Sequence, residues 1–338
     1  MGTPDFAAGI LQALIDSDCE VAAAFSQPDK PKGRGKAVAM TPVHALAEEA
    51  GVPHFQTARI REAENVERIR ALRPDFIVVA AFGQIIPQAV LDIPPLGCLN
   101  VHASLLPRWR GAAPIQWSLI AGDSETGVTI MRMDAGLDTG DMILKKTVPI
   151  AADETGGSLF DKLARAGAEL LPEAMRAIAD GTAVYEKQPA ESPTPYAGMI
   201  TKQMGRIDWS LSAEEIERRV RGFDPWPGAY TFAGGKMLKI RRARVVEESA
   251  EAAASAGDGN MPVSGTDAGA AASGSAASAD AGSAPACGTI VRVTKDTMEI
   301  QTGRGRLALE TVQPEGKRAM SCAEFLRGYR QQEGTLLG

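Results

Sequence analysis

The chain has 338 residues, of which 44% are hydrophobic, and a formal net charge of −6. This length is typical of about two domains, each with a core of its own. No uninterrupted apolar run approaches the roughly 20 residues that cross a bilayer, and the first residues lack the basic and apolar regions of a secretory leader. We therefore expect a cytoplasmic protein without a membrane segment.

Cysteine and histidine do not follow the usual disulfide or metal patterns. The four cysteines have no paired spacing, and the three histidines do not form an HExxH motif. The sequence therefore predicts free thiols and no bound metal.

The charge is distributed unevenly along the chain. Residues 199–246 contain ten Lys and Arg against five Asp and Glu, whereas the first 198 residues are acidic in balance. A basic C-terminal part is typical of proteins that face a polyanion such as a nucleic acid. On charge alone, a solvated basic surface without a partner fits equally well.

In the N-terminal part, segments typical of strands alternate with segments typical of helices. The apolar run at residues 75–81 is typical of a strand buried on both faces. The alternation predicts an α/β fold with a doubly wound, mostly parallel sheet. Predicted strands lie at residues 20–25, 75–81 and 97–101, and predicted helices at 41–50, 58–72 and 113–121.

Polar residues at the end of the third strand form the first candidate site. Asn100 and His102 are two positions apart, so an extended strand points both side chains to the same face. A Gly-rich acidic loop follows, with Asp134, Asp138 and Asp141. An amide, an imidazole and a carboxylate that converge can stabilise an oxyanion and move a proton. Each of these residues alone is more typical of a structural role.

Two further segments are open to a functional and to a structural interpretation. The Pro/Gly loop at residues 27–36 carries four positive charges, among them Arg34 and Lys36, without the spacing of a Walker loop. It is either a flexible surface loop or a contact for phosphates and bases. The apolar residues 81–87 could line a site for a flat ring, but their pattern alone favours core.

The C-terminal part predicts a second, smaller domain. A long amphipathic helix at residues 158–179 and a Pro-rich segment precede a capped helix at 212–221. Short strands with glycine turns at residues 229–246 and 288–312 are typical of a small β-barrel. Between them, residues 247–286 are rich in Ala, Gly and Ser, so we expect a disordered insertion.

Ordered motifs surround the candidate site and continue along the chain. Residues 100–107 read NVHASLLP, residues 108–114 read RWRGAAP and residues 136–141 read GLDTGD. The segments GTPDFAA, QPDKPKGRGK, RIDWS and FDPWPG accompany them. Together they resemble the methionyl-tRNA formyltransferase family, which uses 10-formyltetrahydrofolate, and the resemblance covers nearly the whole chain outside residues 247–286.

The resemblance implies transfer of a formyl group from 10-formyltetrahydrofolate to the α-amine of methionine on initiator methionyl-tRNA. It implies that Asn100 and His102 donate hydrogen bonds to the oxyanion, and that Asp138 orients His102 and assists proton movement. For the pterin of the folate, it implies a site formed by Phe82, Gly83, Ile85, Ser104, Leu105, Leu106 and Pro107. For the tRNA, the interpretation names Arg34, Lys36, Lys239 and Arg241.

The implied architecture is a formyltransferase-like catalytic domain at residues 1–184, a linker at 185–204 and an OB-like domain at 205–334, acting as a monomer.

In the family, a hydrophobic strand precedes the GTPDF turn, which here follows Met1 directly. The sheet should therefore contain an apolar slot with unpaired edges. We expect the chain to be poorly soluble or inactive, and an added upstream strand to rescue it.

Other functions stay open beside this one. Formyltransferases for a purine-pathway ribonucleotide or a nucleotide sugar, and formyltetrahydrofolate hydrolases, share the Asn, His and Asp set. A small acceptor, however, needs neither the basic loop nor the basic barrel. The intact Asn100, His102 and Asp138 disfavour an RNA-binding protein without catalysis.

Overall fold

The computed structural model describes residues 1–31, 38–247 and 285–338. The chain divides into two compact units. The first comprises Met1–Met204 and Arg221–Pro227, and the second comprises Gly205–Val220 and Gly228–Gly338.

The predicted linker lies within the described residues, whereas part of the predicted basic loop and most of the predicted insertion lie outside them. Residues 185–204, expected to link two domains, belong to the first unit. Arg34, Lys36 and nearly all of the 247–286 insertion lie outside the described residues. Within the described ranges, no helix combines the length and the apolar character needed to cross a bilayer.

The first unit alternates helices and strands, and it has the α/β architecture that the sequence predicts. Its helices are α1 (Asp5–Ile15), α2 (Pro42–Glu49), α3 (Ala63–Leu72), α4 (Gln88–Leu91), α5 (Pro114–Ala121) and α6 (Gly156–Ala179). Its strands are β1 (Ala24–Ser26), β2 (Lys30–Pro31), β3 (Val38–Ala39), β4 (His54–Gln56), β5 (Ile77–Val79), β6 (Cys98–His102), β7 (Glu125–Arg132) and β8 (Met142–Pro149).

The main sheet of this unit has the order β5-β6-β7-β8. Strands β5 and β6 pair in parallel, whereas β7 pairs antiparallel with both β6 and β8. Strands β1 and β4 form a second parallel pair. Because Arg132 at the end of β7 pairs with Leu99, the loop from β7 to β8 leaves the sheet beside the first residues of β6. It folds back along the strand so that its Asp138 meets Asn100 and His102.

Helix α3 begins later than the sequence predicts. The prediction started it at residue 58, but the helix begins at Ala63. Buried Asn65 explains the difference, because its Nδ2 donates to Oγ1 of Thr57 and to the carbonyl of Arg59. These bonds stabilise a turn before the helix.

Helix α6 packs directly on β6. A capping box begins it, in which Thr155 Oγ1 accepts from the Ser158 N–H and Ser158 Oγ accepts from the Thr155 N–H. A Cβ at Gly167 would lie only 2.8 Å from Val101 of β6, so this close approach requires glycine. Packing of α6 in the core therefore fixes the position of β6, the strand that carries the candidate site. The buried stripe of the helix includes Leu159, Leu163, Ala166, Leu170, Leu171 and Ala174.

A cavity of about 540 Å³ lies between α1, β1 and β5. Residues 20–23, predicted to be strand, line it outside any strand. Gly2 forms a parallel bridge with Ala80, and its N–H donates to the carbonyl of Phe25. Gly2 therefore connects the segments of β1 and β5 beside this cavity.

The second unit is an antiparallel β structure, in agreement with the predicted C-terminal domain. Its helices are α7 (Ala213–Gly222), whose last two residues belong to the first unit, and α8 (Cys322–Gly328). A 3-10 turn at Gln203–Gly205 spans the point in the chain where the second unit begins. Its strands are β9 (Ala229–Ala233), β10 (Lys236–Val246), β11 (Ile290–Val293), β12 (Met298–Gln301), β13 (Arg306–Pro314) and β14 (Met320–Ser321). They are ordered β11-β12-β13-β10-β9, and β14 pairs with β13.

The start of α7 agrees with its predicted cap. Ser212 Oγ accepts from the Glu215 N–H, and Glu215 Oε2 accepts from the Ser212 N–H. Ala213 and Ile216 of the helix belong to the core that fills one face of the sheet.

Candidate active site

Strand β6 places Asn100 and His102 on the same side, as their spacing predicts. Asn100 Nδ2 donates to Oδ1 of Asp138 over 3.3 Å, and His102 Nε2 lies 3.3 Å from Oδ2 of the same carboxylate. The second pair is close enough for an ion pair, although its alignment does not make a hydrogen bond. The three side chains singled out from the sequence therefore converge.

Asp138 lies in the loop between β7 and β8, and its backbone has φ of +56°. Oδ2 also accepts from the Gly111 N–H over 2.9 Å. Burial alone would raise the pKa of Asp138, but the contacts with His102 and the Gly111 N–H, together with the charge of Arg110, hold it below its usual range. The carboxylate is therefore ionised at neutral pH.

Ser104 holds the other side of the His102 ring. Its Oγ lies 2.9 Å from His102 Nδ1 and 2.6 Å from the carbonyl of Arg108. A hydroxyl has one proton, and the carbonyl can only accept, so that proton goes to Arg108 and Oγ accepts from Nδ1–H. Nε2 is then the nitrogen that faces Asp138, and it becomes a donor when His102 is protonated.

This geometry assembles two kinds of chemistry at one place. The amide of Asn100 has two N–H donors, of which Asp138 takes one, and protonated His102 offers Nε2–H. Such donors stabilise charge on the oxygen of a tetrahedral intermediate. The ionised Asp138 can take up a proton from an attacking nucleophile.

Sequence reasoning missed Arg110 and Gln188 as members of the site. Gln188 Nε2 donates to the carbonyls of Asp138 and Gly140, over 2.9 and 2.8 Å. Its Oε1 accepts from Nε of the buried Arg110 over 3.0 Å. Arg110 lies in the RWRGAAP motif, which was a signal for it, whereas Gln188 lies in a Pro-rich segment interpreted as a linker.

The residues expected around the pterin do not share one environment. Phe82 is buried in the core beside β5, and Leu106 is buried in a separate cluster with residues of β7 and β8. Ile85 is 83% exposed. Ser104 is fully buried, and Leu105 lines a cavity of about 270 Å³. Gly83 is exposed and Pro107 half-buried. Their part in binding the folate stays a prediction.

The two tRNA residues that the structure describes lie on β10. Leu238, Ile240 and Ala243 point into the core, so Lys239 and Arg241 face away from it. A register shift against β13 between residues 240 and 243 brings the next basic side chains, Arg242 and Arg244, to the outer side as well.

The described residues contain no group of three or more His, Cys, Asp and Glu side chains arranged to hold a metal ion. The chemistry above is that of a carboxylate, an imidazole and an amide.

Comparisons with known proteins agree with this fold. The family models "Formyl transferase" and "Formyl transferase, C-terminal domain" match residues 1–175 and 199–330. A methionyl-tRNA formyltransferase of Agathobacter rectalis is 48% identical over 99% of this chain and 97% of its own length. One of Geobacter sulfurreducens is 44% identical over 100% of this chain and 95% of its own.

A solved structure shares the fold at lower identity. The sugar 3N-formyltransferase WlaRD, determined in the presence of dTDP and 5-N-formyl-THF, is 16% identical with a TM-score of 0.60. The match covers 94% of this chain and 97% of that one. Because identity and coverage with the curated relatives are high along the whole length, this chain belongs to the methionyl-tRNA formyltransferase family.

Proposed function

We propose that this chain transfers the formyl group of 10-formyltetrahydrofolate to the α-amine of methionine on initiator methionyl-tRNA, with Asn100, His102 and Asp138 as its catalytic residues. The observation that carries the assignment of residues is the contact of Asn100 and His102 with one carboxylate, that of Asp138. Relatives that are 44–48% identical over 95–97% of their length bear the name of this activity.

The reaction joins the methionine nitrogen to the formyl carbon. As that C–N bond forms, the electrons of the C=O bond move onto the formyl oxygen, and Asn100 and protonated His102 donate hydrogen bonds to it. The oxyanion then returns its electrons to carbon, and the bond from carbon to N10 of the folate breaks. The products are formylmethionyl-tRNA and tetrahydrofolate.

Asp138 has two tasks in this scheme. Its charge orients His102, whose Nε2 lies 3.3 Å from Oδ2. It also assists movement of the proton from the attacking amine towards the leaving N10, which becomes an N–H. The low pKa of Asp138 suits the first task, because the carboxylate stays charged while it faces His102.

The acceptor is proposed from features outside the catalytic residues. The basic side chains on the outer side of β10 can follow a phosphate backbone, and the sequence at Arg34 and Lys36 offers more positive charge. An acceptor as small as a nucleotide sugar would use neither. We propose a monomer in the cytoplasm, and light scattering in solution tests its mass.

An acceptor assay tests the proposal. The chain, with and without an added upstream apolar strand, is incubated with 10-formyltetrahydrofolate and either methionyl initiator tRNA, the same tRNA uncharged, or glycinamide ribonucleotide. We expect formylation of the charged tRNA alone, and no faster loss of folate formyl groups with uncharged tRNA than with buffer. Formylation of the ribonucleotide, or hydrolysis of 10-formyltetrahydrofolate at the same rate with and without tRNA, would contradict this function and support one of the alternatives.

A further inference from the structure

Asp138 is held in a backbone conformation that non-glycine residues rarely adopt. Its φ of +56° lies in the left-handed region. Aspartate adopts this region more readily than most non-glycine residues, and at functional sites the surrounding contacts hold such a conformation in place. The contacts of the Asp138 backbone therefore help to determine the direction of its carboxylate.

Gln188 supplies those contacts from a segment distant in sequence. Its single amide nitrogen bridges the carbonyls of Asp138 and Gly140, over 2.9 and 2.8 Å. Gln188 is half-buried, whereas its neighbours Glu186, Lys187 and Pro189 are exposed. This amide thus clamps the turn that presents the catalytic carboxylate.

Arg110 fixes the orientation of the Gln188 amide. Arg110 Nε donates to Gln188 Oε1, and the other guanidinium nitrogens donate to the carbonyls of Ala190 and Pro189. A reversed amide would place two donors against each other at Arg110 and an oxygen against two carbonyls, so the orientation is determined.

The residue after Arg110 completes the arrangement. The Gly111 N–H donates to Asp138 Oδ2 over 2.9 Å. Arg110 therefore orients the Gln188 amide that binds the Asp138 backbone, and Gly111 binds the Asp138 side chain.

We propose that Gln188 is a positioning residue of the formyl transfer, which acts by fixing the Asp138 turn so that the carboxylate meets His102. The inference rests on the proposed function. It gives Gln188, a residue of the segment predicted to be a linker, a role in aligning the catalytic carboxylate.

Kinetics of two variants test this inference. Gln188→Ala removes the clamp, and Gln188→Glu keeps the shape but places a carboxylate oxygen against the two carbonyls. We expect both to lower kcat by at least about tenfold, since small misplacements of catalytic groups have effects of this size, while KM for the tRNA stays near the wild-type value. The matched control is Gln301→Glu, because half-buried Gln301 also donates to two carbonyls, of Thr302 and Gly305, but in the second unit.

A double variant separates positioning from a general structural role. If Gln188 acts through the Asp138 carboxylate, adding Gln188→Ala to Asp138→Asn lowers kcat little further. Losses that multiply in the double variant, or single variants within twofold of wild type, would overturn the inference.

A readout without activity keeps the inference distinct from the proposed function. Hydrogen exchange of the Gly111 amide reports directly on its bond to Asp138. We expect faster exchange at Gly111 in Gln188→Ala and no change in Gln301→Glu. Unchanged exchange overturns the role of Gln188 even if transfer to tRNA is observed, whereas faster exchange in a chain that does not formylate tRNA overturns only the reaction.

Discussion

The imidazole of His102 lies against the carboxylate of Asp138, with Nε2 at 3.3 Å from Oδ2. Ser104 Oγ lies 2.9 Å from Nδ1, the other nitrogen of the ring. His102 is only 5% exposed, so these two neighbours determine which ring nitrogen carries the proton of the neutral imidazole.

The first prediction concerns Ser104→Ala. Without the hydroxyl, the Nδ1–H of His102 loses its acceptor and the carbonyl of Arg108 loses its donor, in a place that water does not reach. A hydrogen bond to a group that becomes charged contributes about 1.5–3 kcal/mol, so we expect kcat to fall by at least about tenfold. Ser118→Ala is the control, because Ser118 is also fully buried and donates only to Ile115 within its own helix. Equal effects of the two changes on kcat would contradict the role of Ser104.

The second prediction concerns pH and Asp138→Asn. The pKa of Asp138 lies below its ordinary value of 3.8. A carboxyl with a lowered pKa contributes stability that is fully present above the unfolded value and is lost as the pH falls through the folded value. The difference in unfolding free energy between wild type and Asp138→Asn should therefore shift against the wild type as the pH falls from about 5 to about 3.

Urea unfolding at these pH values measures that difference, with Asp134→Asn as the control in the same loop. Asp134 is exposed and bonds only within the loop, to the Gly136 N–H and the Thr139 hydroxyl, among the contacts described. A difference that moves in favour of the wild type on acidification would contradict the account of Asp138.

The third prediction concerns the basic side of β10. Lys239→Ala should weaken binding of initiator tRNA and lower the salt dependence of binding by about one unit of slope, the effect of losing one phosphate contact. Lys295→Ala, in the exposed turn between β11 and β12, is the control of equal charge. The same affinity and slope for both variants would exclude β10 from the tRNA contact.

The fourth prediction concerns the cavity beside Gly2. An extension of about five apolar residues before Met1, the usual length of a strand, should enter the 540 Å³ cavity and pair with both neighbouring segments. It would also replace the Met1 ammonium, which donates to Val78 and whose pKa burial lowers to about 5, by an uncharged amide.

We expect the thermal midpoint to rise by at least about 5 °C, since 1 kcal/mol corresponds to about 2–4 °C in a domain of this size. A Gly/Ser extension of the same length is the control. Equal midpoints and equal activities of the two extended chains would mean that the cavity is not a place for a strand.

The sequence predicts those parts of the site that depend on local regularity. Alternation along β6 predicts that Asn100 and His102 share a face, and the structure brings both to Asp138. The family resemblance was needed to choose Asp138 over Asp134 and Asp141, because the composition of the loop does not distinguish them. The cap at Ser212 and Glu215 is equally local, and it is confirmed.

Contacts between distant segments could not be read in the same way. Gln188 meets the carbonyl of Asp138 across 50 residues, and a glutamine that bonds a backbone carbonyl leaves no periodic pattern. Ser104 was assigned to the folate from its motif, whereas in the structure its hydroxyl bonds His102 and a carbonyl. The late start of α3 has the same origin, since Asn65 bonds a turn that a helical pattern does not reveal.

The most direct test of the account is the turnover of Asn100→Ala, His102→Ala and Asp138→Ala, measured beside their affinity for methionyl initiator tRNA. Removing one group that stabilises an oxyanion costs about 3 kcal/mol, so we expect each change to lower turnover by roughly a hundredfold or more and to leave tRNA affinity unchanged. Turnover near the wild-type value in any of the three would remove that residue from catalysis, and in all three it would contradict the proposed site.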